Sequence, residues 1–303
     1  TGCGSTYYLS QTAASLFESL SGVPAAALPG SEFLLFPQRV LAGAEQTLLV
    51  TISRSGTTTE TLKAQQAFRE HGGRTAWCIT CYDNSPLAAG SDLVLPAVAA
   101  QERSVAQTKS FSSMLLLAQL LAAAVGGQEL ATLQALPALG ADLLQRAEPL
   151  MAELGGRLDL SRFTFLGSGY EYGVASEAML KMTEMSLSFS NAFHFLEYRH
   201  GPMSMATEEL LISGLLSAQG FGHEQQVLKE MRALGAATLA LNPTSTAAET
   251  DWQVALPAQL PAWMRPVLYL PPLQLLAYYR AMAKGLNPDN PRNLTAVVEL
   301  GAL

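Results

Sequence analysis

Two groups of residues in this chain have types and spacings that suit chemistry. The first is Ser53-Arg54-Ser55-Gly56-Thr57-Thr58-Thr59. Its five hydroxyls and one glycine lie between an apolar, β-branched run (Thr47 to Val50) and a helically spaced stretch (Thr61 to His71) closed by Gly72-Gly73. A helix start offers unpaired N–H groups and partial positive charge, hydroxyls add donors, and glycine lets a backbone come close. The ligand this suits is a phosphate ester; the competing reading is an ordinary Ser/Thr-capped helix. The second group is Glu177, Lys181 and Glu184, spaced i, i+4, i+7 on one face of a helix expected from Gly173 to Ser188. Such charges more often form a solvated salt-bridge face. Here Val174, Ala175, Ala178, Met179, Leu180 and Met182 surround them, so a packed environment is expected. Sixteen residues beyond Glu184, His200 precedes Gly201-Pro202. A rigid turn often carries a positioned side chain, although a lone histidine is more often structural.

The elements that must hold these groups read as alternating strands and helices. After the turn Gly2-Cys3-Gly4-Ser5-Thr6-Tyr7 comes a helix to about Leu20, then a short strand from Glu32 to Phe36, and a helix or turn from Val40 to Glu45. Strands follow at Thr47 to Val50, Thr75 to Thr80 and Leu93 to Pro96. Ser85-Pro86-Leu87 opens a short helix, and Gln107 to Val125 reads as one long apolar helix. This alternation predicts an α/β fold with parallel, doubly wound sheets. Gly126 to Gly156, rich in Leu and Ala with breaks at Pro137 and Gly140, reads as connecting helices. The pattern then restarts. Phe163 to Gly169 mirrors the opening turn, Leu211 to Gly220 mirrors Val50 to Gly56, and Leu234 to Leu241 mirrors His71 to Ile79, all at an offset of about 165 residues. An internal duplication is expected, with the hydroxyl cluster present only in the first copy. The domains expected are 1–126, connecting helices 127–156, a second domain 157–284 whose last helix runs from Pro272 to Lys284, and a tail 285–303 over the site.

Composition narrows the classes. The 303 residues are 49% hydrophobic and 14% charged, with a net charge of −7 and no basic block, so nucleic-acid binding is not expected. The longest apolar stretch, Met114 to Val125, is too short to span a bilayer. Three cysteines, Cys3, Cys78 and Cys81, fit a reducing cytoplasm. Cys78 and Cys81 have redox spacing, but no other Cys or His pair accompanies them, and buried thiols at a strand end are the favoured reading. No metal or cofactor is expected. The chain opens on a turn that a strand should precede, so sequence upstream of Thr1 is expected and a cleaved leader stays open.

The string Ser53-Arg54-Ser55-Gly56-Thr57-Thr58-Thr59-Glu60-Thr61 resembles the phosphosugar loop of sugar isomerase (SIS) domains, Ser-x-Ser-Gly-x-Thr-x-Glu/Asp-Thr. The wider chain resembles the isomerase half of glucosamine-6-phosphate synthase and its glutaminase-free relatives. Glu177-x-x-x-Lys181-x-x-Glu184, then Glu197-Tyr198-Arg199-His200-Gly201-Pro202, match a helix and turn of that family, with Arg199 where it usually has Lys. Val105-Ala106-Gln107-Thr108-Lys109-Ser110-Phe111 is similar to its Val-Ala-Ser-Thr-Lys-Ala-Phe, with Gln107 replacing Ser. Pro272 to Tyr278 and Asp289 to Leu294 also match, but where the family continues Ala-Lys this chain has Thr295-Ala296.

The resemblance implies two flavodoxin-like SIS domains and a hexose 6-phosphate ligand. It implies substrate binding by Thr6, Ser53, Arg54, Ser55, Thr58, Val105, Gln107 and Glu177. Lys109, at the start of the long helix, could serve the sugar or be a surface charge, and that helix start could present N–H groups to the sugar. The catalytic set implied is Glu184, His200 and Lys181. Glu184 takes the place of the carboxylate that moves a proton between sugar carbons 1 and 2. His200 takes the place of the imidazole that opens the ring, reaching in from the partner subunit of a homodimer. Enediol chemistry needs one base serving both carbons and an acid/base for the ring oxygen. A partly buried carboxylate and a histidine suit those roles. In the synthases the missing lysine forms a Schiff base in ring opening, so Ala296 argues against glutamine-dependent synthesis. The function expected is aldose–ketose isomerisation of a phosphosugar, with isomerising deamination or deglycation as variants. A non-catalytic sugar-phosphate sensor is the alternative.

Overall fold

The computed structural model describes residues 1–295. Two compact units form: Thr1–Gln128 with the described end of the chain from Asn293, and Glu129–Arg292.

In the first unit the glycine turn leads into α1 (Ser5–Ser21), followed by α2 (Gly30–Leu35) and α3 (Pro37–Val40). Then come β1 (Leu48–Ser53), α4 (Thr59–Glu70), β2 (Thr75–Thr80), α5 (Pro86–Ala89), β3 (Leu93–Pro96) and α6 (Lys109–Val125). The three strands are parallel in the order β1-β2-β3, with Ser53 opposite Thr80. The ends of β1 and β2 are buried, which fixes where their following loops emerge. Thr1 extends the β1 edge: its backbone nitrogen donates to Val50 O, and Ile52 N–H donates to Thr1 O. Helix α1 packs on α6, and α2 on α4. Cys78 and Cys81 are buried free thiols, and burial pushes both above the ordinary value, Cys81 to about 11.

The strand expected over Glu32 to Phe36 is instead the helix α2. The short apolar run Phe33 to Phe36 does not distinguish the two by periodicity. Packing decides: Phe33 enters a core with Leu41, Ala44, Leu49, Ala64 and Phe68, the last two on α4. Helix α6 starts at Lys109 and not at Gln107, because Thr108 takes the cap position with non-helical φ −128°.

The second unit holds α7 (Leu136–Gly156), β4 (Arg162–Gly167), α8 (Tyr170–Ser186), β5 (Phe189–His194) and β6 (Leu210–Leu215). It continues with α9 (Phe221–Ala233), β7 (Ala237–Asn242), β8 (Trp252–Ala255) and α10 (Pro266–Ala283). Five parallel strands lie in the order β5-β4-β6-β7-β8. Numbered along the chain this is 2-1-3-4-5, which places the topological switch point between β4 and β6. Helix α10 packs on α7 and α8. Two expectations change here. The first concerns helix α7, which clusters with the second unit. Gly140 lies inside it and not at a break. Helix α10 begins before Pro271 and Pro272, which it contains. Each proline removes a helical N–H, but Leu268, Tyr269, Leu270 and Leu273 are buried around them and hold the helix in place. Among the described residues no helix is long and apolar enough to cross a membrane. Ala296 lies outside the described residues.

Candidate active site

The first unit presents its hydroxyls on the turn between β1 and α4. Ser53 Oγ lies 3.3 Å from Thr58 Oγ1 and accepts from Gly56 N–H at 3.1 Å. Ser55 Oγ accepts from Thr57 N–H at 3.2 Å and from the Thr57 hydroxyl at 2.9 Å. Gly56 has φ +66°, and a Cβ there would sit 2.1 Å from Ser85 Oγ, so the turn requires glycine. Thr58 occupies the cap position of α4, yet its side chain makes no capping bond. The ordinary capping reading therefore does not account for this hydroxyl. Thr6 is placed differently. It is buried in the opening turn, where its Oγ1 donates to Cys3 O at 3.0 Å and accepts from Cys3 N–H at 2.9 Å. The hydroxyl expected to face substrate thus holds the turn closed.

The segment ahead of α6 is tied to that turn by Arg54. The guanidinium Nη1 donates to Ser104 O and Val105 O, both at 3.0 Å. Glu102, which the sequence does not single out, lies 3.8 Å from it, and each side chain is 9% exposed. The Glu102 carboxylate accepts from the N–H groups of Thr108, Lys109 and Ser110 and from the hydroxyls of Thr108 and Ser110. The N–H groups expected to reach a sugar are therefore taken by a carboxylate of the chain itself. No local rule finds this, because a capping box pairs residues three apart and Glu102 comes from six to eight residues upstream. Gln107 Oε1 is buried and has no hydrogen-bond partner among the described residues. Lys109 is exposed.

In the second unit, α8 carries Glu177, Lys181 and Glu184 as a packed ion triad. Glu177 and Lys181 are 0% and 1% exposed and 3.1 Å apart; Glu184, 13% exposed, pairs with Lys181 from the next turn. The solvated-face reading is thus excluded. Burial works against the Lys181 charge, but the Glu177 and Glu184 carboxylates outweigh it and hold its pKa above the ordinary value. Of the three, only Glu184 reaches solvent. The His200 turn is anchored by the two residues before it. Tyr198 is buried in the core beside Phe195 and Leu210, and Arg199 grips Glu230 of α9 through two bonds of 2.7 and 2.8 Å. Gly201, at φ +123°, then turns the chain into Pro202. His200 itself is exposed, and among the described residues no hydrogen bond joins it to the triad.

The switch point of the second unit is filled. After β6, Glu224 folds back so that its carboxylate accepts from Ser217 N–H at 2.5 Å and the Ser217 hydroxyl at 3.0 Å. Glu171, on the first turn of α8, is buried close by. Burial pushes Glu224 up to about 7, and burial together with the neighbouring Glu224 charge pushes Glu171 up to about 8. A carboxylate stands where an added anion would bind. The corresponding turn after β1 in the first unit, Ser53 to Thr58, holds hydroxyls and no carboxylate.

The family model for the SIS domain matches residues 1–124. A crystal structure of glucosamine-6-phosphate deaminase from Thermotoga maritima matches with a TM-score of 0.85 at 30% identity, over 99% of this chain and 89% of that one. The chain belongs to the SIS family. A glutamine–fructose-6-phosphate aminotransferase (isomerizing) of Methanothermobacter thermautotrophicus is 31% identical to this SIS chain over 304 residues, 98% of the chain and 50% of that protein. The SIS chain spans about half the length of the curated relatives it matches. Tagatose-6-phosphate ketose/aldose isomerase from Escherichia coli shares its fold, with a TM-score of 0.88 over 99% of this chain and 84% of that one at 21% identity.

Proposed function

We propose that this SIS chain is a phosphosugar aldose–ketose isomerase, and that its substrate is an aminosugar phosphate from which isomerisation releases the amine. The observation that carries the reading is the buried triad, in which Lys181 holds Glu184 at the one position of the three that a substrate can reach. In the open-chain aldose, the Glu184 carboxylate takes the proton from carbon 2 and returns it to carbon 1. With an amino group on carbon 2 the product is an imine. Water adds to that imine, ammonia leaves, and a ketose phosphate remains. No enzyme amine takes part, which fits alanine at position 296. The hydroxyls of Ser53, Ser55 and Thr58 bind the phosphate, and Gln107 Oε1 accepts from the sugar.

The reading extends to the assembly. The second unit is a second SIS domain derived by duplication, and two copies of the chain form a homodimer in which His200 serves the partner's site. Its exposure on a doubly anchored turn supports that role: among the described residues no side-chain hydrogen-bond partner holds the imidazole. A cytoplasmic setting fits the three free thiols. The test is one panel of glucosamine 6-phosphate, galactosamine 6-phosphate, fructosamine 6-phosphate and fructose 6-phosphate, assayed for ammonia or amino-acid release and for aldose–ketose exchange. Ammonia released from an aminosugar phosphate supports the proposal. Tight binding of these compounds with no turnover of any would instead make the chain a sugar-phosphate-binding protein.

A further inference from the structure

An arginine between two phosphate-loop serines invites assignment as a phosphate ligand, but Arg54 is spent otherwise. Its side chain is as buried as that of Glu102, and Nη1 donates to two backbone carbonyls, Ser104 O and Val105 O. Its own carbonyl accepts from Cys81 N–H at 3.0 Å and from the Thr80 hydroxyl at 3.3 Å, which fixes its backbone to the end of β2. Glu102 completes the arrangement from the other side, facing Arg54 and bonding the first N–H groups of α6. We infer that Arg54 and Glu102 form a clasp that sets segment 104–107 at a fixed distance from the phosphate turn, so that both are positioning residues for the sugar and not ligands of the phosphate. This rests on the reading of the Ser53–Thr58 turn as the phosphate site.

The physical reasons agree. A carboxylate at a helix start satisfies N–H groups that have no helical partner and meets the positive end of the helix dipole. A buried guanidinium and carboxylate are tolerable when each has further hydrogen bonds, as here, and removing one leaves the other's charge uncompensated. Charge-assisted bonds from one guanidinium to two successive carbonyls also fix the direction of that backbone. The clasp therefore fixes the backbone of the segment that carries the unpartnered Gln107 Oε1.

The test uses the full chain and the variants Arg54→Met, Glu102→Gln, Arg54→Lys and Glu102→Asp. Hydrogen exchange is followed at residues 104–110 without ligand. Affinities are measured by calorimetry for inorganic phosphate and for glucosamine 6-phosphate. The clasp predicts exchange at least tenfold faster at 104–110 in Arg54→Met and Glu102→Gln. It also predicts glucosamine 6-phosphate affinity at least tenfold weaker in both, with inorganic phosphate affinity within twofold of the wild type. Arg54→Lys and Glu102→Asp recover part of each loss. Ser55→Ala behaves oppositely, weakening both ligands alike with exchange unchanged. The inference is overturned if exchange at 104–110 does not change. It is also overturned if Arg54→Met weakens both ligands equally while Glu102→Gln weakens neither, since Arg54 would then touch the phosphate. A wild-type chain that binds neither ligand would refute the phosphate turn, and the exchange data would still decide the clasp.

Discussion

Replacing Lys181 by methionine removes the one cation from a buried group of two carboxylates. Glu177 is wholly buried 3.1 Å from that ammonium, and Glu184 is mostly buried on the next turn. Breaking a buried ion pair from one side costs about 3–5 kcal/mol, because the remaining charge loses the ammonium that compensated it. For a unit of this size that is a fall in Tm of roughly 6–20 °C. The loss depends on pH, and its sign follows from linkage. In the variant the buried Glu177 carboxyl, without its ammonium, favours the protonated form, so its folded pKa rises above the unfolded value. Stability is then largely retained at low pH and lost as pH rises through the raised pKa. Lys181→Met is therefore expected to melt near the wild type at pH 5 and far below it at pH 8, read by circular dichroism. Adding Glu177→Gln to Lys181→Met should recover part of the loss at pH 8, since one uncompensated charge is gone. A Tm within 2 °C of the wild type at pH 8, or an equal loss at both pH values, would refute the reasoning.

Three further outcomes follow from the geometry. Ser55→Ala removes a phosphate donor; losing one charge-assisted bond, about 1.5–3 kcal/mol, should weaken phosphosugar binding roughly ten- to hundredfold with Tm unchanged, and equal affinity for phosphorylated and free sugars would rule the turn out. Glu171 and Glu224 have folded pKa values raised to about 8 and about 7, so their contribution is present below the ordinary carboxylate range and is lost as pH rises through 7 to 8; thermal melts should show Tm falling between pH 5.5 and 8.5, less steeply in Glu171→Gln, and a Tm that rises over that range would contradict the assignment. Inactive Glu184→Gln and His200→Ala chains, unfolded and refolded together, should regain about a quarter of wild-type activity if sites are shared across a dimer, as random pairing leaves one intact site in half of the dimers; no recovery would count against sharing.

Much of this was legible in the residues. The strands β1, β2 and β3 are apolar runs bounded by turn residues, and both ends of α4 carry ordinary signals. The Glu177–Lys181–Glu184 face was readable because helical spacing and apolar neighbours together imply a packed charge group. Other parts depend on tertiary packing. Glu32 to Phe36 ends in four apolar residues that suit a strand, and the segment is helical because Phe33 packs into a core with α4. The edge strand β5, Phe-Ser-Asn-Ala-Phe-His, has little strand preference and forms by pairing with β4. Glu102 reaches its partners through a loop, so no fixed spacing announces it. Thr6 shows the converse: its motif position suggests a ligand contact, while in the opening turn its hydroxyl donates to Cys3 O and accepts from Cys3 N–H.

The central claim is that Glu184 moves the proton between carbons 1 and 2. It is tested most directly by running the wild type and Glu184→Gln in deuterium oxide with whichever phosphosugar the panel identifies, and reading deuterium at carbons 1 and 2 by NMR. Glutamine keeps the size of the side chain and its acceptor oxygen but cannot take a proton. The account predicts deuterium at carbon 1 or carbon 2 with the wild type and none with Glu184→Gln, while phosphosugar affinity stays within a few-fold. Exchange and turnover undiminished in Glu184→Gln would remove the proposed base and contradict the account.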